Sequence, residues 1–174
     1  MPIAASTLID DFSQATCASN GQSWRCVSDR VMGGASTGCI EHAEIDGRRA
    51  LRLRGEVSLE NNGGFLQANL DLADEGGALD ASTFAGIAIM LHGDGGAYAV
   101  NLRTTQLMRP WQSYRAQVTA DAGWHEYRLP FTRFVAHRTE LPLDIRQLRR
   151  VGLIAIGEAR TVDVAIGRIA FFTT

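Results

Sequence analysis

The 174-residue chain contains no lysine; its 17 basic residues are all arginine. That excludes Schiff-base catalysis, a lysine general base and a phosphate loop of the Walker type. Cysteine is scarce and odd in number. Cys17, Cys26 and Cys39 form no C-x-x-C pair, and His42, His92, His125 and His137 are scattered singly. A structural zinc site asks for closer pairs with histidines nearby, so neither a metal nor a cofactor is expected. Reduced thiols are preferred to a Cys17–Cys26 disulfide, which only an exported protein would keep. A basic excess is also missing: 17 arginines face 19 acidic residues, for a net charge of -2. Nucleic acid needs a positive footprint and is not an expected partner. No apolar run approaches the roughly 18 residues of a membrane span. The stretch from Met1 to Phe12 has no basic n-region, apolar h-region or arginine-rich presequence, so the expected address is the cytoplasm of a bacterial-type cell.

What the chain does contain is an ordinary globular composition, 45% hydrophobic and 21% charged. One domain spanning residues 1–174 is expected, with about 70% of the unfolded surface buried. Period-two alternation dominates. In Ala50–Leu59 the apolar set Leu51, Leu53, Val57 and Leu59 falls on one face and Arg52, Arg54, Glu56 and Ser58 on the other, the mark of a half-buried antiparallel strand. Leu66–Leu72 repeats it, and Thr161–Phe171 does so with looser phase. The short β-branched run Val151–Ile156 predicts a central strand. Ile87–His92, Gly93-Asp94-Gly95-Gly96 and Tyr98–Arg103 read as a hairpin, because Asp-Gly suits positive φ. Tyr114–Val118 and Trp124–Leu129 are two further strands around Asp121-Ala122-Gly123. Helix is confined to one or two short turns, two turns over Leu143–Arg150 and an irregular one at Phe131–Phe134. The fold class is all-β, a β-sandwich or jelly roll.

Candidate chemistry is thin. Asp29, Arg30, Gly33, Gly34 and Ser36 read first as a shaped turn; functionally, Asp29, Arg30 and Ser36 would rim a polar pocket. Asn61-Asn62-Gly63-Gly64 is likewise a turn whose amides could meet sugar hydroxyls or a partner's backbone. Gly34-Ala35-Ser36-Thr37-Gly38 matches a nucleophile elbow, but a strand rather than a helix follows it. Glu56 and Glu60 share one polar strand face, yet four residues of rise is about 13 Å, beyond the separation of glycosidase carboxylates. Asp71, Asp74, Glu75 and Asp80 lack calcium-loop spacing and read as a solvated loop. Asn101, Arg103, Arg115 and Gln117 take the polar phase of two successive strands, with Trp111 in the connection between them. If those strands are neighbours, one sheet face carries two guanidiniums and two amides. That face is either solvated or a binding surface with arginine and tryptophan anchors.

Two segments are specific. Trp24–Ser36 contains Val27, Asp29, Val31-Met32-Gly33-Gly34 and Ser36; Gly55–Phe65 contains Val57-Ser58-Leu59 and Asn61-Asn62-Gly63-Gly64-Phe65. Together with the Gly-Asp-Gly turn before Tyr98, Arg103, Tyr114, Trp124 and Leu129-Pro130-Phe131, they resemble the complex I intermediate-associated protein 30 family from about Leu8 to Phe172. The resemblance implies a galactose-binding-domain-like jelly roll and a role in assembling the respiratory NADH:ubiquinone oxidoreductase, with no catalytic residues to transfer. The expected function is therefore a non-catalytic assembly or scaffolding factor that binds a protein partner, such as a respiratory complex subunit or assembly intermediate. Recognition is expected at the Asp29–Ser36 loop, the Asn61–Asn62 turn and the Arg103/Arg115 face. A carbohydrate-binding module is the alternative, with carbohydrate as ligand, and a β-sandwich hydrolase the third reading.

Overall fold

The computed structural model describes residues 7–62, 64–156 and 158–174; the side chains of Val31, Met32 and Asn62 lie outside that description. Twelve strands are seen: β1 (Leu8–Asp10), β2 (Arg25–Ser28), β3 (Thr37–Ile45), β4 (Arg48–Val57), β5 (Phe65–Asp71), β6 (Gly86–His92), β7 (Ala97–Thr104), β8 (Ser113–Thr119), β9 (Trp124–Pro130), β10 (Val135–His137), β11 (Leu148–Ile156) and β12 (Arg160–Phe172). They form two six-stranded sheets. The first runs β3-β4-β12-β6-β9, with β1 also on β12; the second runs β10-β8-β7-β11-β5-β2. Every pairing is antiparallel. This is the expected jelly-roll β-sandwich. Among the described residues helical structure is limited to single 3-10 turns, and no helix is long and apolar enough to cross a membrane.

The core lies between the sheets and is built by the alternation. Leu51, Leu53 and Val57 of β4, Ile87, Ile89 and Leu91 of β6, and Val162, Val164 and Ile166 of β12 meet Leu66 and Leu70 of β5, Val100 and Leu102 of β7, Tyr114 of β8 and Leu153 of β11. The loose phase of Thr161–Phe171 has a local cause. A bulge at Gly167 shifts the register between Ile166 and Arg168, so the buried set steps from Ile166 to Ile169 and Phe171 instead of keeping even spacing.

Several expectations change. Leu59 lies beyond the end of β4 and is exposed, as is Glu60, which opens a 3-10 turn instead of sharing the strand face with Glu56. Only Ile145–Gln147 is helical within Leu143–Arg150, because Leu148–Arg150 already pair with their neighbours as the start of β11. The predicted hairpin does not form. β6 belongs to the first sheet and β7 to the second, so Gly93–Gly96 crosses between layers. The segment between β8 and β9 crosses in the same way, and the two crossings are bonded together: Gly93 N–H donates to Asp121 O at 3.0 Å, Gly95 N–H to Ala120 O at 2.8 Å and Ala120 N–H to Gly96 O at 3.0 Å. The tight hairpin lies instead at Asp46-Gly47, where φ is 46° and 79° and Ile45 faces Arg48. Asp-Gly is the usual sequence for that turn.

All three cysteines are free, with Cys39 exposed and Cys17 and Cys26 half-buried. Burial, and secondarily the neighbouring Cys39, pushes the Cys26 thiol pKa up. Reductant is expected to leave the thermal midpoint unchanged. A thiol reagent at neutral pH should modify Cys39 first and Cys26 last, which stopped-flow labelling with mass mapping would read; Cys26 reacting fastest would contradict this packing.

Candidate functional site

The two specific segments meet at one side chain. Asp29 opens a 3-10 turn over Asp29–Met32 that is capped by Ser28 at one end and by Gly33, in the left-handed region, at the other. The Asp29 carboxylate is fully buried. Its Oδ1 accepts the Ser36 backbone N–H at 2.9 Å. Its Oδ2 accepts the Ser36 hydroxyl and the backbone N–H groups of Gly64 and Phe65. Ser36 Oγ in turn accepts the Ser58 N–H at 2.8 Å. Gly34 is required here because a Cβ at that position would overlap the Asp29 carboxylate. Burial works against the charged form of Asp29, but the bonds from Ser36, Gly64 and Phe65 outweigh it and hold the carboxyl below its ordinary range.

This knot decides where the loop residues stand. Asp29 and Ser36 were expected on a polar rim; both are buried and occupied by the fold's own donors. Ser36 is no nucleophile for the same reason: its hydroxyl is sealed between Asp29 and Ser58. Arg30 and Asn61 are exposed. Asn61 takes a left-handed backbone, φ 56°, while the Asn62 side chain lies outside the described residues.

The structure brings a second group together on the outer face of the β10-β8-β7-β11-β5-β2 sheet. β7 and β8 are neighbours, with Asn101 opposite Arg115 and Ala99 opposite Gln117. Tyr98, Val100, Leu102, Tyr114 and Ala116 point into the core, so Asn101, Arg103, Arg115 and Gln117 share the other face. Arg115 Nε donates to Asn101 Oδ1 at 3.1 Å and to Ser113 Oγ at 3.3 Å. One Arg103 amino group, Nη1, donates to the carbonyls of Arg109 and Gln112, at 2.8 and 2.7 Å. Those bonds brace the β7–β8 connection, which presents Trp111, 49% exposed beneath the Arg109 guanidinium. Arg103 Nε is buried without a partner.

Residues that the sequence reading did not select stand on the same face. Arg150 lies opposite both Arg103 and Asp71, Asn69 lies opposite Arg25, and His137 lies opposite Ser113. Arg150 Nε bonds Asp71 at 2.8 Å, and Arg25 reaches the same oxygen at 3.2 Å. Charge on this face is crowded. Burial and the nearby Arg150 and Arg149 charges lower the pKa of Arg103; burial and Arg138 lower that of Arg115; burial, Arg115 and Arg138 lower that of His137. Arg150 was assigned to a helical turn, and only the strand order reveals its neighbours. For Asn69 and Asp71 the polar phase of Leu66–Leu72 was already a usable signal.

Two shallow grooves are present, and Gln117 of this face also lines the larger one. One of about 540 Å³ runs along β8 and β9 past Thr119, Asp121, Glu126, Tyr127 and Arg133, and one of about 180 Å³ sits beside Cys17, Trp24 and His42. Among the described residues no group of three or more His, Cys, Asp or Glu side chains could hold a metal.

A profile of the family described as complex I intermediate-associated protein 30 matches residues 11–166. No curated protein matches the chain. Among solved structures, the family 11 carbohydrate-binding module from Clostridium thermocellum, in complex with a beta-1,3-1,4-mixed-linked tetrasaccharide, superposes with a TM-score of 0.73 at 13% identity, covering 97% of this chain and 95% of that one. The family 11 module of the cellulosomal cellulase Lic26A-Cel5E of the same organism gives 0.74 at 12% identity, over 96% and 94%. A family 30 carbohydrate-binding module gives 0.58 at 14%, over 79% and 75%. At such identities the likeness concerns the fold.

Proposed function

We propose a function from one premise: the chain belongs to the complex I intermediate-associated protein 30 family. It is a non-catalytic binding domain that serves as an assembly or scaffolding factor, holding a protein partner such as a respiratory complex subunit or assembly intermediate. The observation that carries this reading is the shared outer face of β7 and β8, where Asn101, Arg103, Arg115 and Gln117 stand beside the exposed Trp111. Arginine and tryptophan are the residue types on which interface energy concentrates. Arg30 and Asn61, in the family's two specific segments, are exposed at the other end of that sheet.

The test is affinity capture from a bacterial host with quantitative mass spectrometry, comparing the natural chain with a Trp111→Ala, Arg115→Glu double variant. A defined set of partner subunits is expected, retained at least about tenfold less by the variant, as for loss of one interface hot spot. No protein enriched over the double variant would remove the reading.

A second reading, carbohydrate binding, draws support from the amides of Gln67 and the exposed Gln117, which can both donate to and accept from sugar hydroxyls, and from the fold shared with carbohydrate-binding modules. Silence across a glycan array, with unchanged tryptophan fluorescence, would exclude it.

A further inference from the structure

We infer that the outer face of the second sheet is a carboxylate-binding surface whose occupant is an acidic segment of the protein partner; this rests on the docking reading above. Four strands each present a guanidinium there: Arg25 on β2, Arg150 on β11, Arg103 on β7 and Arg115 on β8. Among the described strand residues of that face the answering carboxylate is Asp71, and Arg25 and Arg150 already share it. Arg103 and Arg115 bond only neutral oxygens: the carbonyls of Arg109 and Gln112, the Asn101 amide and the Ser113 hydroxyl. Such partners orient a guanidinium without cancelling its charge.

The excess is local, since the whole chain carries -2. Arg115, Arg103 and Arg150 come from three successive strands of the sheet, about 4.8 Å apart. The terminal nitrogens of Arg115, and Nη2 of Arg103, make no hydrogen bond within the described residues. These planar donor forks match the two oxygens of a carboxylate. Burial first, and neighbouring positive charge second, lower the pKa of Arg103 and of Arg115; an anion placed among these guanidiniums offsets the second.

A polypeptide fits better than a glycan. Tyr98 and Tyr114 turn inward, so no ring of β7, β8 or β11 stands among the guanidiniums; Trp111 lies outside them on the β7–β8 connection, and Phe65 at the far end of β5. Carboxylates on an extended chain need none.

The test is isothermal titration of the full chain with a synthetic peptide alternating glutamate and serine. The matched glutamine–serine peptide, polygalacturonate and a neutral mixed-linked glucan tetrasaccharide serve as comparisons. The glutamate peptide is expected to bind saturably and the glutamine peptide not. Arg115→Gln should weaken binding about tenfold or more, the usual loss of a charge-assisted bond, and Arg115→Lys should restore part of it. Arg128→Gln on the opposite sheet should change nothing. Raising salt should weaken binding. Arg103→Gln should act like Arg115→Gln, but Arg103 also braces the β7–β8 connection, so Arg115 decides, with thermal unfolding checking the fold of each variant. Equal binding of the two peptides, indifference of a folded Arg115→Gln variant, or binding by a glycan alone would overturn the inference. If natural chain and Arg115→Gln capture the same subunits equally, docking stands and this inference fails. If the glutamate peptide binds but no subunit is retained, the carboxylate-binding surface stands, while the assembly reading and the occupant drawn from it fail.

Discussion

Replacing Asp29 by alanine is expected to remove about 3–5 kcal/mol of stability, the usual effect of deleting one partner from a buried charged network. The substitution leaves the Ser36, Gly64 and Phe65 N–H groups and the Ser36 hydroxyl without their common acceptor inside the protein. Total stabilities of about 5–15 kcal/mol are typical, so a large share would go. Asparagine is a poor substitute, because its amide nitrogen would point a donor at donors. Ser36→Ala should cost less, about 1–3 kcal/mol, since Asp29 keeps its three backbone bonds and the Ser58 N–H loses its acceptor. Urea unfolding would measure the series, and an Asp29→Ala midpoint no lower than that of Ser36→Ala would refute the network. A pH dependence follows. The folded pKa of Asp29 lies below its unfolded value of about 3.9. Its contribution is therefore complete above that pH and is lost as pH falls through the folded pKa. The stability gap between natural chain and Asp29→Asn should hold steady near neutrality and narrow in acid below about pH 4.

Gly93→Val is expected to be the next most damaging change, at about 3 kcal/mol or more, the range of steric overpacking and lost buried bonds together. A Cβ at Gly93 would overlap the backbone of Ala120, and backbone cannot swing aside as a side-chain tip can. The neighbouring crossing would have to separate, breaking the bonds that tie Gly93–Gly96 to Ala120–Asp121. Gly95 provides the contrast. Its φ is +83° and nothing lies within 4 Å of the added carbon, so Gly95→Ala should cost only about 1 kcal/mol of left-handed strain. Comparable thermal midpoints for the two variants would show that the crossings do not support each other as described.

Much of the fold was legible in residue order because a strand reports its own faces. Leu51, Leu53, Leu66, Leu70, Val100 and Leu102 all stand in the core that their alternation predicted. The short apolar run Val151–Ile156 is indeed central, with β7 on one side and β5 on the other. Local turn chemistry was less decisive. In Asp94-Gly95 the glycine has the expected positive φ, but a turn states only that the chain reverses, not that its flanks pair. The true hairpin, at Asp46-Gly47, carries the same dipeptide. The candidate site divides along the same line. That Asn101, Arg103, Arg115 and Gln117 share a phase was readable; that Arg150 and His137 join them was not, since both come from strands distant in sequence.

By itself, the order of residues determined an all-β sandwich, its main strands, most of its core and its family. Those follow from short-range periodicity and from two contiguous segments. Only the tertiary structure decided that those segments meet, with Asp29 sealed as their shared acceptor, and that four arginines share one sheet face on which two of them hold Asp71. Burial and charge balance depend on which strands lie side by side, and that is settled by hydrogen bonds and packing between residues far apart in the chain.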